Sequence, residues 1–361
     1  MTDDAGRYAR DDDASRSGAV SFCLAGGKAA QDNMTVVRDE PTAPTALTAR
    51  RVRLADDSEW HQLRVDSSAK EIGYERLDNE ILAGIRLYKA AQPTGGYPPE
   101  ISRLYGYEGT SADPFALVEP YRGKPLSEVE GQLPQEQQRL FQVSLLTGLC
   151  WLAAAGIAHR GLDLSTVRWD GQRAQITDFS LSTVTGVPRQ ETGSPSRWTA
   201  PEQQPGNGYG RVTNRDDVWA AGQLIFYVAA REILTNVSQL ADYGLQALLA
   251  GVFGPADGRP TAREIMTGQA RLGMTCPAPA GPAVDSGLRA GYTRFRAEQL
   301  RKHPGAPAPE SPGTRDGDPM TPGTTPVSAD SEAAAPDGSQ PASAGEPDRP
   351  RKVFSSRRGA R

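Results

Sequence analysis

The chain has 361 residues, with 29 prolines and 38 glycines beside only 37% hydrophobic and 7% aromatic residues, which is lean for a chain packed along its whole length. Forty basic against 44 acidic residues give a net charge of −4, so the electrostatic footprint of a general nucleic-acid binder is missing. The apolar stretches are too short to span a bilayer, and the acidic start (Asp3, Asp4, Asp11, Asp12, Asp13) is the opposite of a signal peptide's basic n-region, so no membrane partner is expected.

Residues 1–49 read as an extension with charge runs, Pro41 and Pro44, around one apolar island from Ala19 to Val37. Folded texture then runs from 50 to 272. Arg51 to Leu54 and Trp60 to Val65 alternate like strands, and Tyr74 to Lys89 carries Leu77, Ile81, Leu82 and Ile85 at helical spacing. Pro114 to Tyr121 is another strand. Gln135 to Ala155 is a long helix with a stripe of Leu140, Val143, Leu146, Leu149 and Leu152, closed by Gly156. Val167 to Trp169 and Ala174 to Ile176 form a hairpin across Asp170-Gly171. Helices are predicted over Asp216 to Ala230, Tyr243 to Val252, and Thr261 to about Leu272, the last with a Thr261/Glu264 capping box. From 273 to 361 Pro and Ser dominate, 11 of the prolines lying between Pro304 and Pro350, and a disordered tail with a basic end is expected, broken by a short helix over 287–303. Cys23, Cys150 and Cys276 are isolated in sequence, without a zinc or disulfide spacing, which suits a reducing cytoplasm. The Ala, Arg, Gly and Pro bias points to a bacterial, high-GC origin. Strands first and helices later give an α+β order.

Four short motifs stand in register: His159-Arg160-Gly161-Leu162, Asp178-Phe179-Ser180, Ala200-Pro201-Glu202, and Asp217-Val218-Trp219-Ala220-Ala221-Gly222. Their order and spacing, with a hairpin between the first two and 25 residues from Asp178 through Glu202, resemble the signature series of protein kinases. The resemblance implies a bilobal fold with a small β-rich N-terminal lobe and a helical C-terminal lobe. It also implies Glu80 as the glutamate of the N-lobe helix, Glu119 and Tyr121 at the hinge, and ATP with magnesium as ligands.

Phosphoryl transfer needs the phosphates held, magnesium coordinated and the acceptor hydroxyl oriented. At the position of the catalytic aspartate stands Gly161, with Asp163 as the available substitute base. Asp178 is the retained metal-binding carboxylate, and Thr166 occupies the second metal-ligand position. No glycine occurs between Gly27 and Gly73, so the turn Ala55-Asp56-Asp57-Ser58 is not a glycine-rich phosphate loop. Arg64 is the candidate for the ATP-positioning lysine. By the resemblance, His159, Arg160, Phe179, Glu202, Asp217 and Arg259 are structural: Glu202 pairs with Arg259, at a cost of roughly 3–5 kcal/mol on breaking, and Asp217 braces the His159 loop.

Architecture kept with reactive groups lost resembles a pseudokinase, implying ATP and magnesium bound weakly or not at all and a signalling role through protein binding. The alternative is a divergent Ser/Thr kinase that retains transfer, with Asp163 as base. Gly26 to Val37, with Asp32-Asn33 before a β-branched run, is similar to the final metal-aspartate strand of PP2C-type phosphatases. That resemblance implies Asp32 as a metal ligand, but no upstream segment supplies the rest of such a site, so a structural strand is expected. The expected partner is a signalling protein, a kinase or a PP2C-type phosphatase among them.

Overall fold

In a computed structural model the described residues are 17–40, 46–189, 196–204, 206–207, 210–270, 273–279, 293–294, 297–298 and 300–302. They all fall in the first of two compact units, residues 1–313. The expected tail beyond 303 lies outside them, as do Tyr292 and Phe295. The described positions from 293 to 302 are helical.

The fold is mixed α/β. Six strands close into a barrel: β1 (Ser17–Leu24), β2 (Ala29–Glu40), β3 (Leu47–Arg53), β4 (Glu59–Val65), β5 (Leu104–Glu108) and β6 (Phe115–Val118), in the order β1-β2-β3-β4-β6-β5 with β1 returning to β5. All neighbouring pairs are antiparallel. A small β-rich lobe was expected from sequence, and its strands close into a barrel. The first two strands come from the stretch assigned to an extension before residue 50, so that stretch is part of the fold from Ser17.

Strand alternation builds two cores. One face buries Phe22, Met34, Val52, Leu54, Trp60, Phe115 and Leu117 together inside the barrel. The opposite face presents Leu47, Leu63, Leu104, Ala116 and Val118 to Leu77 and Ile81 of α1 (Lys70–Ala91). Gly106 is required for closure, because a Cβ there would lie 2.6 Å from the Phe22 ring.

The rest of the chain is mainly helical. It comprises β7 (Lys124–Pro125), α2 (Gln135–Ala155), β8 (Ile157–Ala158), β9 (Val167–Trp169), β10 (Ala174–Ile176), β11 (Thr183–Val184), α3 (Asp216–Ala230) and α4 (Ala262–Gly268). Gly156 takes a left-handed φ of 65° and returns its N–H to Leu152 and Ala153, which ends α2. Thr261 and Glu264 cap α4 reciprocally. α2 and α3 pack at the centre of the largest core, where Phe141, Leu145, Leu224, Ile225 and Phe226 are fully buried. The helix predicted over Tyr243 to Val252 is absent: these residues form successive turns, because Gly244 and Gly251 adopt φ of 67° and 75°, outside the helical region. Cys150 is buried on α2 with its Sγ 3.7 Å from Met266 Sδ, and Cys276 is half-buried against the same core. No described helix is long and apolar enough to cross a membrane.

Candidate functional site

Between the barrel and the helical part lies a cleft of about 440 Å³, lined from above by Leu47, Ala49, His61 and Leu63 and from below by Ser165, Arg168, Thr177 and Asp178. Tyr121, on the connection joining the two parts, lines its inner wall. Glu40 at the end of β2 and Leu47 at the start of β3 also line it. The β2–β3 connection reads Pro41-Thr42-Ala43-Pro44-Thr45-Ala46, without glycine. The turn over residues 55–58, compared above with a phosphate loop, lies instead at the far end of β3, where it leads into β4.

Arg64 does not enter the cleft. On β4, His61 and Leu63 share the cleft face while Arg64 points the other way, into an ion pair with Asp113. The cleft therefore receives a buried leucine from the strand that was expected to supply a cation. Across it, Glu80 of α1 is buried, 3% exposed, and its Oε2 accepts the Phe179 N–H at 2.5 Å. Among the described residues no cation pairs with Glu80. Burial, reinforced by repulsion from Asp178 and opposed by the Phe179 hydrogen bond, pushes its pKa up to about 8.

The neighbouring Asn79 donates from Nδ2 to the Ser180 carbonyl at 3.0 Å, so α1 grips the Asp178-Phe179-Ser180 segment at two points. Phe179 is buried against the His159 ring, with centroids 5.1 Å apart. Asp178 faces the cleft at a left-handed φ of 62°, and its Oδ1 accepts the Ser180 N–H at 3.1 Å. Left-handed backbone at a non-glycine costs of order 1–3 kcal/mol and persists only where its surroundings hold it. Arg76, one turn before Glu80, is part-buried; burial lowers its pKa while the charges of Glu75 and Asp178 oppose that fall.

The loop after β8 is organised as a turn. Asp217 Oδ2 and Oδ1 accept the N–H groups of His159 and Arg160 at 2.7 and 2.8 Å, and His159 Nε2 lies 3.0 Å from the Thr177 carbonyl. Arg160 follows at φ 64°. Gly161 has no side chain to orient an acceptor, and its space is filled: an added Cβ would sit 2.7 Å from Leu181 Cδ1. Asp163, the expected substitute base, uses Oδ1 to accept Ser165 N–H, Ser165 Oγ–H and Thr166 N–H at 2.7, 2.6 and 3.1 Å. It is thereby committed to the turn. The Thr166 hydroxyl donates to the Gly161 carbonyl at 3.0 Å and accepts the Asp163 N–H at 2.9 Å, so the second expected metal ligand is also occupied within the loop.

At the inner wall, the Tyr121 ring stacks on His61 with centroids 4.9 Å apart, and the Arg168 guanidinium lies over the same ring at 5.4 Å. His61 is buried, and that burial lowers its pKa and favours the neutral imidazole, against the opposing pull of Glu40. Glu119 faces outward, toward Arg122 and Arg103 at 3.3 and 3.6 Å, rather than into the cleft. The adjoining amide of Arg122 is taken by Gln175 Oε1 at 2.8 Å. Asp32 Oδ1 accepts the N–H groups of Asn33 and Ala55 at 2.7 and 3.1 Å, which ties β2 to the β3–β4 turn. Among the described residues no group of three or more His, Cys, Asp or Glu side chains is placed to hold a metal ion.

Below the cleft, Arg259 grips Glu202 with two prongs, Nη1–Oε1 at 2.6 Å and Nη2–Oε2 at 3.1 Å, and donates further to the carbonyls of Arg215 and Gly254. A second pair of the same kind, Arg189 to Asp216, was not legible in sequence, because Arg189 belongs to no motif. His61, Leu63, Arg76 and Leu181 were missed too. For Leu63 a signal existed: alternation along β4 puts it with His61 and opposite Arg64.

No protein-family model matches the chain. Curated relatives do match in part. The chain is 27% identical over 142 residues to CBL-interacting protein kinase 31 of Oryza sativa subsp. japonica, covering 37% of this chain and 31% of that protein. It is 28% identical over 165 residues to CBL-interacting serine/threonine-protein kinase 17 of Arabidopsis thaliana (43% and 36%), and 29% identical over 100 residues to tyrosine-protein kinase csk-1 of Caenorhabditis elegans (27% and 18%). The chain thus spans about a third or less of the length of these relatives. These distant matches support a kinase-like domain.

Proposed function

We propose that this is a pseudokinase: a bilobal kinase-like domain, its barrel serving as the small lobe, that has lost efficient phosphoryl transfer and acts in signalling by binding another protein. The observation that carries the reading is the cleft face of β4. There Leu63 stands where a transferase needs a cation, and Glu80 is left buried and protonated near neutral pH instead of ion-paired. Three further features agree with it. Leu181 fills the space of a catalytic side chain at 161, Asp163 and Thr166 are committed to their own turn, and the sequence has no glycine between Gly27 and Gly73 to wrap phosphates.

Transfer of the γ-phosphoryl group relies on positioned charge far more than on covalent chemistry. Removing the base, the lysine and the phosphate cover together leaves Asp178 as the retained signature carboxylate facing the cleft. The rival reading, a divergent Ser/Thr kinase, draws on Asp178, which still faces an open volume large enough for a ligand.

Incubation of the chain with radiolabelled ATP, magnesium and a generic protein acceptor is expected to give no incorporation above background. Incorporation that Asp178→Ala abolishes would establish the rival. Thermal unfolding with ATP and magnesium is the second measurement: a ligand held by the native state must raise the midpoint, and no rise is expected.

A further inference from the structure

The barrel closes through only part of its first strand. Ser17 to Cys23 all pair with β2, whereas β5 meets β1 at Cys23 and Leu24, opposite Tyr107 and Gly106. The Leu24 N–H turns to the Lys28 carbonyl and the Ala25 N–H to that of Tyr105, so even-numbered residues of β1 bond toward β2 and odd-numbered ones toward the β5 side. Among the described residues no strand pairs with Ser17, Ala19 or Ser21 on that side, and all three side chains are exposed. Val20 and Phe22, between them, turn into the barrel core.

An unpaired strand edge is a template for another strand, and native sheets commonly blunt it with lysine, proline or a bulge. This edge reads Ser17-Gly18-Ala19-Val20-Ser21-Phe22, without charge or proline. Thr35, Asn33 and Gln31 of β2, opposite Ser17, Ala19 and Ser21, are uncharged as well. β3 and β4 differ, carrying Arg50, Arg51, Arg53, Glu59 and Arg64. Space is open too: a Cβ at Gly18 would meet none of the described atoms within 4 Å.

We propose that β1 is a self-docking edge, on which a second copy of this chain lays its own β1 antiparallel about a two-fold axis at Ala19. A two-fold contact needs a surface that can face itself, and this strand brings no like charges together when it does. With Ala19 opposite the partner's Ala19, Ser17 falls opposite the partner's Ser21 and Ser21 opposite the partner's Ser17. All three outward residues then exchange N–H···O bonds across the seam. Centring on Val20 would instead set Ser17 against Cys23, which Tyr107 already holds. A charged partner strand would find no counter-charge on this outer face, whereas a copy meets it with the same serine, alanine, threonine, asparagine and glutamine side chains. The pairing is strand addition, in which main-chain hydrogen bonds supply the affinity.

The test uses the full chain in sedimentation velocity across a dilution series. A monomer–dimer equilibrium is expected. In hydrogen exchange the Ala19 and Ser21 amides should lose protection on dilution, while those of Val20 and Phe22, bonded to β2, keep it. Ala19→Lys sets an ammonium against its own copy at the axis, and Ala19→Glu a carboxylate. Because the side chain is exposed, each variant is expected to fold and to remain monomeric at concentrations where the unaltered chain dimerises, and mixing the two is expected to restore a dimer. A chain that is monomeric at every concentration overturns the proposal, as does a mixture of the variants that fails to associate. A dimer that survives both substitutions places the contact elsewhere and overturns it too. So does protection of Ala19 and Ser21 that is independent of concentration, because another part of the same chain would then cover the edge.

Discussion

A carboxyl group sealed in an apolar cavity makes stability depend on pH, and Glu80 gives that dependence a definite sign. Its pKa is raised by burial and by Asp178 to about 8 in the folded chain, above the ordinary value of 4.5 that it regains on unfolding. Between those values the folded state holds a proton that the unfolded state has released. The stabilisation is therefore complete below about pH 4.5 and is lost as pH rises toward 8. The slope for one such group approaches about 1.4 kcal/mol per pH unit. Glu80→Gln keeps an oxygen to accept the Phe179 N–H and has no proton to lose. The variant is expected to lose less stability than the wild type between pH 5 and pH 8 in urea titrations. Parallel curves for the two proteins would show that Glu80 is ionised in the fold.

At the scale of elements, the barrel closes where β1 pairs with β5, and an aromatic ring packs over a glycine at that seam. Phe22 of β1 lies over Gly106 of β5, where any side chain would collide with its ring. Phe22→Ala removes the plug and leaves a cavity at the seam, at a cost of about 3–5 kcal/mol. Hydrogen exchange is expected to accelerate in β1, β2 and β5 first, with α2 and α3 unchanged, because those helices belong to a separate core. Uniform loss of protection across both parts would instead mean that they unfold as one.

Legibility in sequence divides along the same line. α2, α3, β9 and β10 were readable to the residue, since each carries one dominant periodicity and a capping or turn residue such as Gly156 or Gly171. β1 and β2 were not recognised as barrel strands, because their pairing partners lie as far away as Tyr107 and no local signal announces a long-range closure. At the site, motif spacing located Asp178, Glu80 and Gly161. It took Arg64 where Leu63 faces the cleft, because both faces of β4 are covered, one by the barrel interior and one by α1, so polarity does not mark the cleft side.

For the molecule as a whole, framework and reactive groups are separable. The framework rests on Arg259, 0% exposed in its side chain, with Glu202 and the carbonyls of Arg215 and Gly254. Arg259→Ala leaves Glu202 without its cation and those carbonyls without their donor, and is expected to cost about 3–5 kcal/mol in denaturant unfolding. A loss below about 1 kcal/mol, the range of exposed pairs, would mean that the pair is solvated.

Restoring reactive groups to this intact framework is the converse experiment. Leu63→Lys would place an ammonium in the cleft opposite Glu80, and Gly161→Asp would return a base, displacing Leu181. Neither change alone, nor the two together, is expected to produce transfer. The sequence still has no glycine between Gly27 and Gly73, Asp163 remains bonded to Ser165 and Thr166, and the Thr166 hydroxyl remains bound to Gly161. Groups that act as a unit contribute little when some of the others are missing, so partial repair returns almost nothing. A readout independent of activity keeps this result interpretable. In Leu63→Lys the new cation draws the Glu80 pKa down, so the fall in stability between pH 5 and pH 8 should flatten. A flattened profile without phosphoryl transfer places the lesion in the missing phosphate cover and base. Transfer that depends on Asp178 in Leu63→Lys alone would mean that one leucine had been the whole block.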